Sequence, residues 1–454
     1  MSMKPYNVVV IMLDSLRRDH VGAYGGVRVK TPNIDRLAEE SVLFDNAYPE
    51  GLPTIPVRTA LFTGQRTLPF RPWQPLERED VTAAEIFSAM GYVCGLITDT
   101  YHLARPDMNF HKGFHSFEWI RGQEGDPYIS APHNKNIKDY IKPEMEGDPV
   151  AWMLEQYFRN TAKRKGEEDY FCAQVMGKAI EWVEGNAGAN EPFFLWVDSF
   201  DPHEPWDPPA KYDVYTDPHY QGKRLLHPKY GPCDWMTSEE LEFVRGLYAG
   251  EVAFVDAWTG RFLDRLRELG LMENTIIALL ADHGHPHGDH GSIMKTDRNL
   301  YSELLRIPFM IRHPEKQYAG KRIKPLVETD DFLPTILDML GMNRETLAMH
   351  GKSAWRLVTG DEEKLRDVVI TGYYESRHRC VRDENWSFIS RADPEPDELY
   401  NLQEDPTERV NVLEKYPEKA EELWSKLGVI FTQKRKRNLN IQLRYEVQHT
   451  PAEK

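Results

Sequence analysis

Only four cysteines occur in the 454 residues, at Cys94, Cys172, Cys233 and Cys380. They lie far apart and follow no CxxC or metal-ligand spacing, which excludes a disulfide framework and a cysteine-ligated zinc module. All but Cys233 sit in or beside apolar segments, so reduced, mostly buried thiols are expected. No apolar run approaches the roughly 18 residues that a membrane-spanning helix needs. Positive charge is in deficit, with 56 Lys+Arg against 72 Asp+Glu. The field of the whole molecule therefore repels nucleic acid and anionic membranes alike, and neither is expected as a partner. The first strand begins close to the N-terminus, with no basic n-region and no small-residue cleavage site ahead of it, so a cytoplasmic enzyme is the expectation. An anionic substrate fits this charge only if its site brings its own cations. One basic run, Lys434-Arg435-Lys436-Arg437, reads as solvated surface.

What is present is an alternation of buried strands and amphipathic helices. Tyr6 to Leu13 is β-branched and almost continuously apolar, the mark of a central parallel strand covered on both faces. Tyr92 to Thr98, Phe193 to Phe200, Asn274 to Ala281 and Ile307 to Ile311 read as further strands. Asn33 to Glu40, Val81 to Met90, Ser238 to Leu269 and Asp330 to Leu340 read as helices, the long one stopped by Gly270. Such alternation implies an α/β sandwich with a largely parallel sheet over residues 1–350. Past Gly351 the pattern changes to short alternating strands, Val368 to Gly372, Arg379 to Arg382, Trp386 to Ile389 and Glu398 to Leu402, and then a helix from Glu414 to Phe431. Residues 351–454 are expected to form a smaller α+β subdomain with an antiparallel sheet. The stretch from Gln123 to Tyr230, rich in Pro, Asp, His and Tyr, reads as largely irregular.

The chemistry-bearing residues fall where strands or loops end. Asp14 follows the first strand, and Asp282-His283-Gly284 follows the Asn274–Ala281 segment; open α/β sheets bind ligands beyond strand C-termini. From His283 to His290 there are four histidines in eight residues, a cluster suited to metal or proton chemistry, although surface imidazoles are the plainer reading. Thr54-x-Pro56-x-Arg58 closes a loop and opens an apolar helix. That geometry aims a hydroxyl at an anion held by backbone N–H groups and a guanidinium. A hydroxyl, two aspartates and a histidine together are what metal-assisted attack on a phosphorus or sulfur ester requires.

On these residues the chain resembles the sulfatase family of the alkaline-phosphatase superfamily, which includes arylsulfatases, phosphonate monoester hydrolases and related phosphodiesterases. The resemblance also runs through Thr31 to Leu37, Gly113-Phe114, Asp201 to Trp206, Asp282 to Lys295, Leu333 to Asp338 and Glu398 to Leu402. It implies an alkaline-phosphatase-like fold and one divalent metal ion held by Asp14, Asp282 and His283, with Ser15 where a second carboxylate or an amide is usual. Thr54 would be the nucleophile beside the metal, and Arg58 would hold its loop and screen it. His203 and Lys295 match the charge-stabilising pair near the leaving group, His102 matches a third site histidine, and Thr100 stands at a substrate-contacting lysine position. Family members are often dimers or tetramers, so a homo-oligomer is compatible with the resemblance.

Three departures shape the expected function. Sulfatases carry Cys or Ser at position 54, which matures to formylglycine; threonine cannot, because its Cβ bears a methyl group. Asp99-Thr100 replaces a Gly-Lys pair and removes one cation, as in phosphonate monoester hydrolases. His283 replaces an asparagine common in calcium-binding members, and an imidazole ligand favours Mn2+ or Zn2+ over Ca2+. The expected activity is hydrolysis of a small anionic phosphodiester or phosphonate monoester through a covalent Thr54 intermediate. The alternatives are an arylsulfatase-type hydrolase, a phosphotransferase, and a non-catalytic binding protein on a degenerate sulfatase fold. Trp206, Tyr212, Tyr215, Tyr220 and Trp235 could stack an aryl or sugar group, or simply pack long loops.

Overall fold

The computed structural model describes residues 5–342, 348–392 and 394–428. The basic run Lys434-Arg435-Lys436-Arg437 and the last turn of the expected C-terminal helix lie outside them; the helix is described from 417 to 428. Among the described residues no helix is long and apolar enough to cross a membrane. The four cysteines are free thiols, and only Cys233 is not fully buried.

An eight-stranded sheet organises the chain. Its order is Arg322–Ile323, Val42–Phe44, Phe309–Arg312, Thr275–Leu280, Asn7–Leu13, Phe193–Ser199, Val93–Thr98 and Ser116–Trp119. Asn7–Leu13 lies in the middle, paired in parallel with Phe193–Ser199 on one side and Thr275–Leu280 on the other. All seven of its residues are buried, as its unbroken apolar run demands. Phe309–Arg312 departs from the parallel pattern: it pairs antiparallel with both of its neighbours. The sheet is thus largely parallel, in a mixed α/β fold.

The two-residue period of the strands decides what each face meets. In Phe193–Ser199, Phe193 packs edge-on against Trp182 of the Phe171–Asn186 helix. Phe194 stacks on Phe87 of the Ala83–Ala89 helix, and Trp196 meets Phe62 of the Thr54–Thr63 helix and Phe332 of the Phe332–Met339 helix. The next residue of this second set is Asp198, which therefore projects toward the Thr54–Thr63 helix. The Phe171–Asn186 helix and a second, Pro149–Thr161, lie inside the stretch expected to be irregular. Asp148 caps the latter through Val150 N–H, with Pro149 at its first position. Proline and aspartate there mark a helix start, a signal that composition alone conceals.

The strands Val369–Thr371, Arg379–Arg382, Trp386–Ser390 and Glu398–Asn401 form a separate antiparallel sheet in sequence order. It packs with the 417–428 helix around Leu68, Ile370, Val381, Phe388, Leu399 and Leu423. Two links tie it to the larger sheet's layer. A fully buried Arg382–Glu408 ion pair (2.6 Å) also reaches Ser302 Oγ, and Leu52 N–H donates to Gly372 O (3.1 Å), just ahead of Thr54.

The long helix Ser238–Glu268 opens with a capping box between Thr237 and Glu240. Midway along it, Asp256 accepts hydrogen bonds from Asn33 N (3.1 Å), Ile34 N (2.8 Å) and Asn33 Nδ2 (2.8 Å). It satisfies the start of the Pro32–Glu39 helix, whose own N-cap Thr31 makes no side-chain cap. Asp256→Ala should cost about 1–3 kcal/mol by leaving those buried donors unpaired, seen as a lower melting temperature in differential scanning calorimetry with the metal content unchanged.

Candidate active site

Three neighbouring parallel strands end at the same edge of the sheet, and each delivers a carboxylate there. Asp14 follows Leu13; Asp198 is the penultimate residue of Phe193–Ser199, in register with Met12; Asp282 comes two residues after Leu280, also in register with Met12. All three are fully buried. Isolated carboxylates cannot stay charged in such a place without cations.

Arg58 supplies the first cation. One turn into the Thr54–Thr63 helix, its guanidinium is fully buried and donates to Asp198 through Nε (3.0 Å) and Nη2 (2.8 Å) and to Asp282 Oδ2 through Nη1 (2.7 Å). Nη2 also lies 3.0 Å from Asp14 Oδ2, and Nη1 reaches the carbonyl of Thr54 at 3.5 Å. Thr100 Oγ1 (2.6 Å) and Trp196 Nε1 (3.0 Å) complete the donors around Asp198. Arg58 therefore joins three strand ends to the start of the Thr54 helix. Its donors are all directed to these carboxylates and to the Thr54 carbonyl, a scaffolding position. Thr100, expected at a substrate-contacting position, donates its hydroxyl to Asp198.

Three side chains offer a place for a second cation. Asp14, Asp282 and His283 each present one ligand atom, all within 4.8 Å of one another and all buried. Asp14 Oδ2 and His283 Nε2 accept no hydrogen bond. His283 Nδ1 faces its neighbour's carbonyl, Gly284 O, at 2.8 Å, which leaves the Nε2 lone pair for a ligand. Burial and the adjacent Asp282 push the Asp14 carboxyl well up. Asp282 is held low, because His283 and Arg58 outweigh its burial. Burial lowers His283 to about 4 against the pull of Asp282, keeping the imidazole neutral. Two carboxylates and one neutral imidazole suit a divalent cation. Ser15 is hydrogen-bonded to both carboxylates. In a left-handed conformation (φ 59°), it turns its amide to Asp282 Oδ1 (3.0 Å) and its hydroxyl to Asp14 Oδ1 (2.8 Å), so it orients the two carboxylates. Gly284 is required by close approach: a Cβ there would stand 2.0 Å from Glu303 O.

Thr54 is the first residue of its helix and 1% exposed, placed at this strand edge by the bond from Arg58 to its carbonyl. On the far side of the site stand Lys295, His203 and His102. Lys295 Nζ lies 2.5 Å from His203 Nε2. Burial lowers His203 to about 3, with Glu204 opposing and Lys295 assisting, so its imidazole is neutral and accepts from the ammonium. His102, on the short helix Tyr101–Ala104, pairs through Nε2 with Glu124 Oε2 at 2.9 Å. Burial raises the Glu124 carboxyl, but His102 and then His203 more than offset it and leave it at about 2. Glu124, His203 and Glu204 form a second group with metal-compatible spacing. Here, however, His203 Nδ1 points to Glu204 O at 2.8 Å and Nε2 to Lys295. The cation at this second group is the lysine ammonium.

The structure brings together Asp14, Arg58, Thr54, Asp282 and His283, with Lys295, His203 and His102 beside them. Sequence reasoning passed over Asp198, Glu124 and Glu204. Asp198 carried a usable signal, a polar residue at the end of an apolar strand, the same one that marked Asp14 and Asp282. Glu124 lies in a loop, and nothing local distinguishes it. Two of the aromatic residues that could stack a substrate pack within the protein. Trp206 is fully buried beneath His285 and His287, and Tyr220 stacks on Phe243 at 4.0 Å.

A metal-ligand set, a buried hydroxyl and a lysine–histidine pair at a strand edge make an ester-hydrolase centre. The chain belongs to the sulfatase family: the model of that family matches residues 6–342, and that of the N-sulphoglucosamine sulphohydrolase C-terminal region matches residues 288–437. It is 28% identical to an arylsulfatase of Clostridium perfringens, over 93% of both chains. It is 26% identical to the multifunctional alkaline phosphatase superfamily protein PehA of Trinickia caryophylli, over 89% of this chain and 91% of that one. Two solved structures share its fold at a TM-score of 0.73 and 22% identity. The phosphonate monoester hydrolase of Agrobacterium radiobacter is covered to 96%, with 94% of this chain. A protein in complex with its substrate D-glucosamine-2-N, 6-O-disulfate is covered to 99%, with 95% of this chain.

Arg58→Ala should leave three buried carboxylates without their shared partner. A loss of about 3–5 kcal/mol is expected, measured by thermal unfolding of the metal-free protein. Unchanged stability would mean that Arg58 does not hold the site together.

Proposed function

We propose that this protein hydrolyses phosphodiesters or phosphonate monoesters, with Thr54 as nucleophile and one divalent metal ion as cofactor. The observation that carries this reading is the threonine itself, buried at the head of its helix in an otherwise intact site. A threonine cannot become the aldehyde whose hydrate attacks sulfur in sulfatases. A covalent adduct on its oxygen can be released only by water attacking the phosphorus or sulfur atom, a route that suits phosphorus esters.

Asp14, Asp282 and His283 would hold the metal ion, which would supply Lewis acidity at the site. The imidazole ligand and the small donor set favour Mn2+ or Zn2+. Arg58 and Ser15 hold the two carboxylates in place. The Thr54 hydroxyl loses its proton to water as its oxygen bonds to phosphorus and the bond to the leaving group breaks. A second water then attacks phosphorus and releases Thr54. Lys295 and His203 face the charge that develops on the departing oxygen, and His102, paired with ionised Glu124, is a second proton source there. Asp99 supports the loss of a cation relative to the family pattern. It is fully buried, burial and the nearby Asp201 raise its carboxyl well above the ordinary range, and Gln123 Nε2 bridges the two at 3.0 and 2.8 Å. With one positive group fewer, the site suits a singly charged ester better than a phosphate monoester.

A sulfuric ester hydrolase using threonine directly is the second reading, favoured by the arylsulfatase relative and by the sulfated-sugar complex of equal structural similarity. Side-by-side turnover of 4-nitrophenyl sulfate, bis(4-nitrophenyl) phosphate and 4-nitrophenyl phenylphosphonate with Mn2+ or Zn2+ separates the two. The phosphorus esters should be the faster substrates, and preference for the sulfate would reverse the assignment. Thr54→Ala should lower kcat by at least ~1,000-fold while calorimetry still finds one metal bound; retained turnover would remove Thr54 from the mechanism.

A further inference from the structure

Glu204, directly after His203, is fully buried and has been given no part so far. Its carboxylate is the meeting point of five side chains. Tyr230 donates to Oε1 at 2.7 Å. Lys295 Nζ stands 3.9 Å and His227 Nε2 3.8 Å from Oε1, while His285 Nε2 and His203 Nδ1 lie 3.1 and 3.2 Å from Oε2. A buried carboxylate ringed in this way stays ionised; despite burial, His203, Lys295 and His285 hold it well below the usual carboxylate range.

The position of Lys295 needs such a charge. Its ammonium contacts a neutral imidazole nitrogen, and it lies close enough to the metal ligands to act on Asp14 and His283 electrostatically. A dication bound there would repel it. Among the described residues, Glu204 is the only carboxylate within 4.0 Å of Lys295 Nζ. The Glu204 side chain is fully buried, whereas that of Lys295 keeps 9% exposure.

We propose that Glu204 is a positioning residue whose buried carboxylate anchors the Lys295 ammonium against His203 Nε2, so that this charge faces the leaving oxygen. The proposal rests on the hydrolytic reading of the Thr54 site. Without the anchor, the ammonium is left beside a dication with no counter-charge and moves away. The loss then falls hardest on substrates whose leaving oxygen carries the most negative charge in the transition state, the poor leaving groups.

The test compares wild type, E204Q, the conservative E204D and the milder Y230F, each loaded with Mn2+ and shown to bind it. The substrates are aryl phenylphosphonates whose phenols run from 4-nitrophenol to unsubstituted phenol. For E204Q, kcat should fall ~10-fold with the nitrophenyl ester and ~100-fold or more with the phenyl ester, within the range of proton and charge catalysis, and KM should move less than ~3-fold. E204D should recover most of the loss, and Y230F should show the same trend on a smaller scale. An equal loss across the series, or a raised KM with kcat intact, would overturn the proposal. A crystal structure of E204Q supplies a readout independent of turnover. Lys295 Nζ should leave hydrogen-bond distance of His203 Nε2, and a retained contact counts against the proposal. If E204Q does not fold, Y230F decides by the same leaving-group trend. If wild type cleaves none of these esters yet the E204Q crystal shows Lys295 displaced, the activity assignment falls and the anchoring role stands.

Discussion

Everything at the strand edge depends on one guanidinium having three carboxylates to bind. Asp14, Asp198 and Asp282 come from three adjacent parallel strands, and none could remain ionised there alone. Arg58 reaches all three from the first turn of the Thr54 helix, so the same ion cluster that makes the buried carboxylates tolerable also fixes the helix that begins at Thr54. Such a buried cluster is costly to desolvate and contributes little net stability compared with a well-packed apolar one. Its value lies in geometry: the hydroxyl and the metal ligands cannot be displaced independently.

The site is divided electrostatically. On one side, carboxylates and a neutral imidazole await a dication. On the other, Lys295 supplies a positive charge whose neighbours, His203 and Glu204, belong to a single dipeptide. Between the two lies the space that the proposed reading gives to the ester.

Much of this was legible in the sequence because the chemistry sits at boundaries that local patterns mark. The apolar runs ending in Asp14 and Asp282, and the Thr54-x-Pro56-x-Arg58 turn, announce themselves without any tertiary information. The Phe309–Arg312 strand gave its position but not its direction, since an apolar run of that length pairs equally well either way. The Pro149–Thr161 and Phe171–Asn186 helices were hidden by polar and proline-rich flanks. Asp198 is less visible than Asp14 and Asp282 because it lies inside its strand, ahead of Ser199, and not beyond the strand's end. The roles of Ser15 and Thr100 depend on rotamers and on a left-handed backbone, and no spacing rule reports those.

The central claim is that an unmodified threonine forms a transient ester at this metal centre. Rapid acid quench of the Mn2+-loaded protein during turnover of an aryl phenylphosphonate, followed by mass spectrometry of the peptide spanning Thr54, tests it directly. The account predicts an unmodified peptide at rest and a phenylphosphonyl adduct on Thr54 during turnover. Turnover with no adduct on that peptide, or an oxidised residue at position 54 in the resting protein, would contradict it.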